Sequence, residues 1–267
     1  MAELGITPVK DYKNPFPRNW LTTGLWIVVA GYLLYTVQSL GLSWSRFSEG
    51  LQHAGTLLDR MFPPNFSRWE LLFSGLAESL EIAIISSVVG IFFSLFFGLF
   101  AARNLMPNIV SVPMRGFIAL CRSFHPIIVA ILFVKSVGFG ALAGILTLII
   151  ASVGFIAKLF AEAIEEISLK QVEAIRATGA SFTSVILFSV LPQVFSRFIG
   201  FSTYQLDSNL RNSTMVGIVG AGGLGGTLFS AFQRFDYDFV SAILITIIAL
   251  ILFWEFLSNV VRSIFSE

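Results

Sequence analysis

The sequence predicts an all-α membrane protein, and its composition, hydropathy and segment lengths all support this. Of its 267 residues, 55% are hydrophobic and only 12% are charged, whereas soluble domains carry about 25% charged residues. The mean hydropathy is +0.82. Apolar runs of about 20 residues, the length needed to cross the hydrocarbon core, recur along the chain. We therefore expect a bundle of transmembrane helices.

Six apolar segments are long enough to be transmembrane helices. They are predicted at residues 20–42, 71–102, 113–134, 140–160, 194–210 and 239–261. We expect the first to be an uncleaved span and not a cleaved signal, because its apolar part exceeds a typical signal core and has no convincing cleavage site. Residues 43–70 contain Pro63, Pro64 and charges of both signs, which predicts an external loop.

The basic residues predict the orientation, because Lys and Arg are enriched in short cytoplasmic segments. Six spans place both termini on one side, and a cytoplasmic N-terminus puts more of the flanking basic residues inside than outside. The inner group is Lys10, Lys13, Arg18, Arg103, Arg115, Lys170, Arg176 and Arg262, and the outer group is Arg46, Arg60, Arg68 and Arg234. We expect residues 1–19 to form a cytoplasmic tail.

A polar, alanine-rich stretch separates the fourth and fifth predicted spans. We call residues 165–192 the polar hairpin. Its first part predicts a short amphipathic helix that ends at Gly179, because glycine adopts the left-handed conformation without steric cost. Ser181 is placed to cap the helix that follows. Such a hairpin, fixed to spanning helices at both ends, is suited to docking a partner.

Charged side chains within spans are costly, so each is a functional candidate. Asp207 and Arg211 lie one helical turn apart in the fifth span, and Asn209 lies on a different face. Two interpretations remain open and are compatible. The pair can be a structural ion pair, or Arg211 can face a translocation path and attract an anion while Asp207 orients it. For Lys158 with Glu162, a structural pair is expected.

A glycine-rich segment over residues 219–225 matches the pattern G-x-G-x-x-G. That pattern binds dinucleotides only within a βαβ unit, and here a membrane span precedes it. Two other interpretations remain. The glycines can allow close backbone packing, or they can line a gate where bare amide groups contact an oxyanion. The four glycines concerned are Gly220, Gly222, Gly223 and Gly225.

Several classes of function are disfavoured by the sequence. It contains no G-x-x-x-x-G-K-[ST] motif, so the chain is not expected to bind ATP phosphates by that route. Cys121 is the single cysteine, and His53 and His125 lie in different segments, so we expect no metal site. The net charge of +1 argues against binding nucleic acid.

The polar hairpin resembles the EAA loop of binding-protein-dependent ABC importer permeases. The resemblance rests on Glu173 and Ala174, on Gly179 six residues after the Glu, and on Leu191 and Pro192. Longer strings resemble the phosphonate-transport permeases in particular, across about residues 78–264. These strings are residues 158–165, 175–180, 190–193, 208–211 and 217–225. One position departs from the family pattern, since Asp207 stands where a glutamate is expected.

The resemblance implies a type I ABC importer permease fold in a bacterial cytoplasmic (inner) membrane. Residues 71–264 would form the importer transmembrane domain, with 43–70 as a periplasmic loop and the polar hairpin as cytoplasmic coupling helices. The residues expected to couple to the ATPase are Glu173, Ala174, Arg176, Gly179, Leu191 and Pro192. A separate ABC ATPase dimer would bind ATP and Mg, and a periplasmic or lipid-anchored binding protein would deliver phosphonate, phosphite or phosphate.

The sequence shows no internal repeat, so a pathway would form between two copies, which implies a homodimer. Two other function classes remain as alternatives. A secondary transporter or channel for a small anion would use the same helices without a motor, although the polar hairpin argues against this. An intramembrane enzyme lacks support, because no Ser-His dyad, HExxH helix or paired-aspartate motif is present.

Overall fold

The computed structural model describes residues 20–41 and 43–265, so the predicted cytoplasmic tail lies outside the described residues. These ranges contain helices, turns and bends, and no strand. The helices are α1 (Trp20–Ser39), α2 (Trp44–Met61), α3 (Trp69–Ala101), α4 (Asn108–Ser123), α5 (Pro126–Val137), α6 (Ala141–Glu165), α7 (Leu169–Ala177), α8 (Phe182–Val185), a π-helical segment (Ile186–Val190), α9 (Leu191–Ile218), α10 (Gly223–Gln233) and α11 (Tyr237–Phe265). Two compact units are present, one ending at Asp59 and the other beginning at Arg60.

The number of membrane spans agrees with the prediction, although their construction differs. Five helical segments are long and apolar enough to cross a membrane, and α4 with α5 meets the same criterion as a bent pair. Counting that pair as one gives up to six spans in the described ranges. The five segments are Trp20–Ser39, Trp69–Ala101, Ala141–Glu165, Phe182–Gln233 and Tyr237–Ser258.

The third predicted span, over residues 113–134, is broken at Pro126, where the chain bends by 88° between α4 and α5. Pro126 starts α5, where its missing N–H is not needed and its fixed φ suits the first turn. His125 before it is extended, as the ring of a following proline requires. Its Nδ1 accepts a hydrogen bond from the Ile127 amide at 3.4 Å. The break therefore follows from the His-Pro sequence.

The prediction of a loop over residues 43–70 is also incomplete, because α2 occupies much of it. Phe47, Leu51 and Leu58 recur at helical spacing within a polar sequence, which gives α2 one apolar face. All three side chains are exposed. The polar composition obscured a periodicity that the sequence does contain.

The α3–α6 pair forms the centre of the second unit. Ser86, Gly90, Ser94 and Gly98 recur every four residues on α3, and all are buried. Small residues at this spacing allow helices to approach closely in a membrane. A Cβ atom added to Gly90 would lie 2.5 Å from Cβ of Ser152 on α6. The helices that carry the sites described below pack around this close contact.

Candidate functional site

The polar hairpin has the helix-turn-helix structure that the sequence predicted. Helix α7 ends at Ala177, and Gly179 follows with φ of +76°. The Gly179 amide donates to the carbonyl of Arg176 at 3.0 Å. Ser181 caps α8 by accepting a hydrogen bond from the Ser184 amide at 3.4 Å. The turn therefore depends on a glycine with a left-handed backbone.

The inner face of the hairpin is fixed to the ends of two spanning helices. Val172 of α7 is buried in an apolar cluster with Ile164 of α6 and Val194 of α9. In addition, Arg197 of α9 forms an ion pair with Glu166, the residue directly after α6. The hairpin and the ends of α6 and α9 are thus held together by both apolar and charged contacts.

The outer face of the hairpin is exposed to solvent. Glu173, Ala174, Arg176 and Gly179 are all exposed. Glu173 and Arg176, three residues apart on α7, do not pair with each other, and neither forms an ion pair with any residue in the described ranges. Both side chains are therefore available to a partner.

The second arm of the hairpin differs from the prediction, because it runs directly into a spanning helix. Leu191 and Pro192 were expected to end the hairpin ahead of a span beginning at Val194, but α8, the π-helical segment and α9 follow without a break. Pro192 has no amide hydrogen to donate to the preceding turn. The wider π-helical turn directly before it accommodates the proline within a continuous helix. A displacement of the hairpin would act directly on α9.

The predicted ion pair between Asp207 and Arg211 is present on α9. The side chain of Asp207 is 10% exposed and that of Arg211 is 45% exposed. One carboxylate oxygen accepts from Arg211, whereas the buried Oδ1 has no hydrogen-bond partner among the described residues. The carboxylate is therefore in the interior, and the guanidinium extends towards the protein surface.

A buried amide and serine network joins α3, α6 and α9, and the sequence analysis did not find it as a unit. Asn209 is fully buried, and its Nδ2 donates to Ser87 and Ser152, both at 2.9 Å. Gln205 donates to Asn209 and also to Ser152, at 2.9 and 3.0 Å. The four-residue spacing of Gln205 and Asn209 was the available signal. In this conformation Asn209 holds three helices together.

Replacing Asn209 with Ala should destabilise the protein, because it removes two interhelical hydrogen bonds and leaves a small cavity. We expect a cost of about 1–3 kcal/mol, measured as a lower unfolding temperature in detergent. Asn212→Ala is the matched control, since Asn212 is on the same helix and, among the described residues, its side chain bonds to Ser208 of that helix and to no other helix. Equal unfolding temperatures for the two variants would contradict a structural role of the network.

The glycine-rich segment forms a tight turn between α9 and α10. Gly220, Gly222 and Gly223 have φ values of +95°, +84° and +73°, which side chains with a Cβ atom rarely adopt. A Cβ atom on Gly225 would lie 1.9 Å from the Thr214 carbonyl oxygen. These distances support the close-packing interpretation. The element before the turn is α9, not a strand, so the dinucleotide pattern has no structural basis.

A cavity of about 340 Å³ lies beside this turn. Its charged lining consists of Arg68, Glu78 and Arg234. Arg68 pairs with Asp236 at 2.9 Å and lies 4.7 Å from the ring centre of Phe239. Leu224 at the start of α10 donates its amide to Ser79 at 2.8 Å. The glycine turn is thus packed on α3 at one side and borders a charged cavity at another.

Comparisons with known proteins agree with this architecture. Residues 94–266 match the family described as the binding-protein-dependent transport system inner membrane component. The phosphite transport system permease protein PtxC of Stutzerimonas stutzeri is 37% identical over 92% of this chain and 90% of its own length. The phosphate-import permease protein PhnE of Mycolicibacterium smegmatis is also 37% identical, over 96% of this chain, which spans only 47% of that protein.

Among solved structures, an inward-facing form of the MetNI methionine ABC transporter resembles the chain with a TM-score of 0.65. The likeness covers 74% of this chain and 98% of the other at 24% identity, and it therefore shows the fold alone. The sequence-based expectation of a type I importer permease fold is confirmed. The chain belongs to the family of binding-protein-dependent transport system inner membrane components, as a multi-pass permease subunit of the ABC importer type and not an enzyme.

Proposed function

We propose that the chain forms the translocation pathway of an ATP-driven importer of phosphorus oxyanions: phosphonate, phosphite or phosphate. The observation that carries the proposal is the polar hairpin. Its outer face is exposed, its inner face is fixed to α6, and its second arm continues into α9. The substrate class is supported by the names of the two 37% identical relatives, which concern phosphite and phosphate.

The polar hairpin is proposed to dock onto a cytoplasmic ABC ATPase dimer, which binds ATP and Mg. Glu173, Ala174 and Arg176 would contact the ATPase, because they are exposed and not engaged in ion pairs within the described residues. Gly179 would set the angle between the two arms, and Leu191 with Pro192 would join the second arm to α9. A displacement at the hairpin would then reach the membrane as movement of a single helix.

The remaining partners belong to the same proposal. A second copy of the chain would complete the pathway as a homodimer, since one copy carries a single hairpin and no internal repeat was found. A periplasmic or lipid-anchored binding protein would deliver the substrate at the outer face. Both termini would lie in the cytoplasm, because that orientation places more of the flanking Lys and Arg residues inside than outside.

The charged groups of α9 and the glycine turn are proposed to line the path or its gate. Arg211 would attract the anion, because its guanidinium is nearly half exposed and Asp207 holds only one side of it. Asn209 would act by fixing α9 against α3 and α6 in this conformation. The glycine turn would allow close approach of α10 and α9 at the outer end of the path.

The proposal is tested by reconstituting the full complex of permease, ATPase and binding protein in liposomes. ATP hydrolysis should rise several-fold when the binding protein carries phosphite, phosphate or methylphosphonate, and the same anion should accumulate inside. Methionine with its own binding protein is the negative control. Uptake that continues without the ATPase would overturn the proposal and support a secondary transporter instead.

A further inference from the structure

A second charged cavity, of about 200 Å³, lies between α4 and α6 and is separate from the cavity beside the glycine turn. Three basic side chains line it, Arg115 and Arg122 from α4 and Lys158 from α6. The acidic residue in the lining is Glu162. A cavity of this size accommodates a small anion. Of its eight lining residues, three are basic, one is acidic and four are alanine or isoleucine.

The three cations are not equally neutralised. Arg115 is held by Glu165 at 2.5 Å, and it also donates to the Ala101 carbonyl at 2.9 Å. Lys158 is 3.4 Å from Glu162, and both side chains are nearly half exposed, so this pair is loose. Arg122 forms no ion pair with any residue that the structure describes. Two carboxylates therefore face three cations, which leaves one positive charge.

Arg122 is exposed in the single chain, but it lies at the level of the middle of a spanning helix. Arg122 packs on Gly154 of α6, where an added Cβ atom would lie only 2.8 Å from Cγ of Arg122. Gly154 lies near the middle of α6, which spans Ala141–Glu165, about 16 Å from the end that leads into the polar hairpin at 1.5 Å per residue. A charge at such a depth persists where it faces water or a partner of opposite sign.

The break in the bent span lies beside the same cavity. Helix α4 ends at Ser123, one residue after Arg122, and Phe124 and His125 are extended before α5 begins. Backbone that is not helical is tolerated at membrane depth only where protein covers it or water reaches it. Phe124 and His125 are exposed in the single chain, so the break needs cover from water or from a partner subunit.

We propose that this cavity binds a phosphate-type oxyanion, with Arg122 as the main contact and Lys158 as the second. The planar guanidinium of Arg122 can donate two parallel hydrogen bonds to one anion, and Lys158 adds a point charge. Arg115 is a positioning residue, since Glu165 and Ala101 already hold it. The assignment of a free anion as the ligand rests on the function proposed above. A lipid headgroup phosphate would offer the same chemistry.

Binding is measured by phosphorus NMR titration on the complex of permease and ATPase in detergent, without the binding protein, with inorganic phosphate and phosphite as probes. Arg122→Gln should weaken binding at least tenfold, and Lys158→Gln should weaken it severalfold. Lys135→Gln is the control, because it removes an exposed cation from α5 that does not line the cavity. Its affinity should stay within twofold of the original.

Two further measurements keep the test decisive. Gly154→Ala retains every charge but displaces Arg122, so it should also weaken binding if the site is correct. Native mass spectrometry of complexes purified with phosphatidylglycerol identifies the lipid source, since a headgroup site would lose bound lipid in Arg122→Gln. Size-exclusion profiles show that each variant is assembled. Lys158→Gln provides the charge removal if Arg122→Gln does not assemble.

Free-anion binding or lipid retention that falls in the cavity variants supports the site and identifies its source. If neither quantity changes in these variants relative to Lys135→Gln, the site is refuted. The proposed function fails separately, through absence of ATP-driven uptake by the original complex, and this result does not depend on the cavity.

Discussion

Gly225→Ala should prevent stable folding of the region that joins α9 to α10. The added Cβ atom would lie 1.9 Å from the carbonyl oxygen of Thr214 and 2.9 Å from Cα of Gly217. Both contacts are with backbone, so no flexible side chain can yield and the two helices must separate. Overpacking commonly costs 1–3 kcal/mol, and we expect about 3 kcal/mol or more here. The unfolding temperature in detergent should fall by roughly 6–12 °C.

Gly226→Ala is the matched control for this prediction. This variant has the same substitution at the adjacent glycine of the same helix. The nearest atom to the added Cβ at this position is the Gly217 carbonyl oxygen, at 3.7 Å. That is an ordinary van der Waals distance, and alanine is the better helix former. Its unfolding temperature should be unchanged or slightly higher. A Gly225→Ala protein as stable as Gly226→Ala would show that α9 and α10 are not closely packed.

Much of the architecture could be predicted from local sequence alone. Hydropathy located the spans because a membrane helix must be apolar along its whole length. Gly179 marked the end of α7 because few other residues adopt its backbone conformation. The ion pair of Asp207 with Arg211 followed from their four-residue spacing. In each case the controlling interaction lies within one or two helical turns.

The features that the sequence analysis missed depend on contacts between distant segments. Ser87, Ser152 and Gln205 are unremarkable in sequence, and only packing of α3, α6 and α9 brings them to Asn209. Pro126 shows in the sequence where the third span can be interrupted, but a proline does not determine the size of the bend, which is 88°. The continuity of α8 with α9 was hidden by Pro192, which normally signals an end to helix.

The unpaired charge of Arg122 illustrates the same limit. The sequence places Arg122 in a predicted span, but its distance from every carboxylate depends on which helices lie beside α4. Gly154 on α6 brings the two helices together at this level, since an added Cβ would contact the backbone of Cys121 and Arg122 at 3.1 Å. Only the folded chain shows that Glu165 and Glu162 are already engaged elsewhere.

Gly179→Val should abolish the stimulation of ATP hydrolysis by the loaded binding protein while leaving membrane insertion intact. Gly179 has φ of +76°, and no heavy atom lies within 4 Å of an added Cβ. The effect is therefore backbone strain and not a clash. A β-branched residue is a severe outlier in this conformation, at a cost of roughly 1–3 kcal/mol. The strain is relieved if the turn changes, and α7 then presents a different surface to the ATPase.

Two companion variants separate strain at the turn from a general effect of valine. Gly200→Val places the same side chain on α9 in open space with an ordinary helical backbone, so stimulation should be retained. Gly179→Asn should keep much of it, because asparagine tolerates the left-handed conformation better than other residues. Stimulation that ranks Gly200→Val first, Gly179→Asn next and Gly179→Val last would tie coupling to the backbone angle at the turn. Full stimulation by Gly179→Val would show that the hairpin does not couple to the ATPase, since a strained turn could not preserve the docking surface.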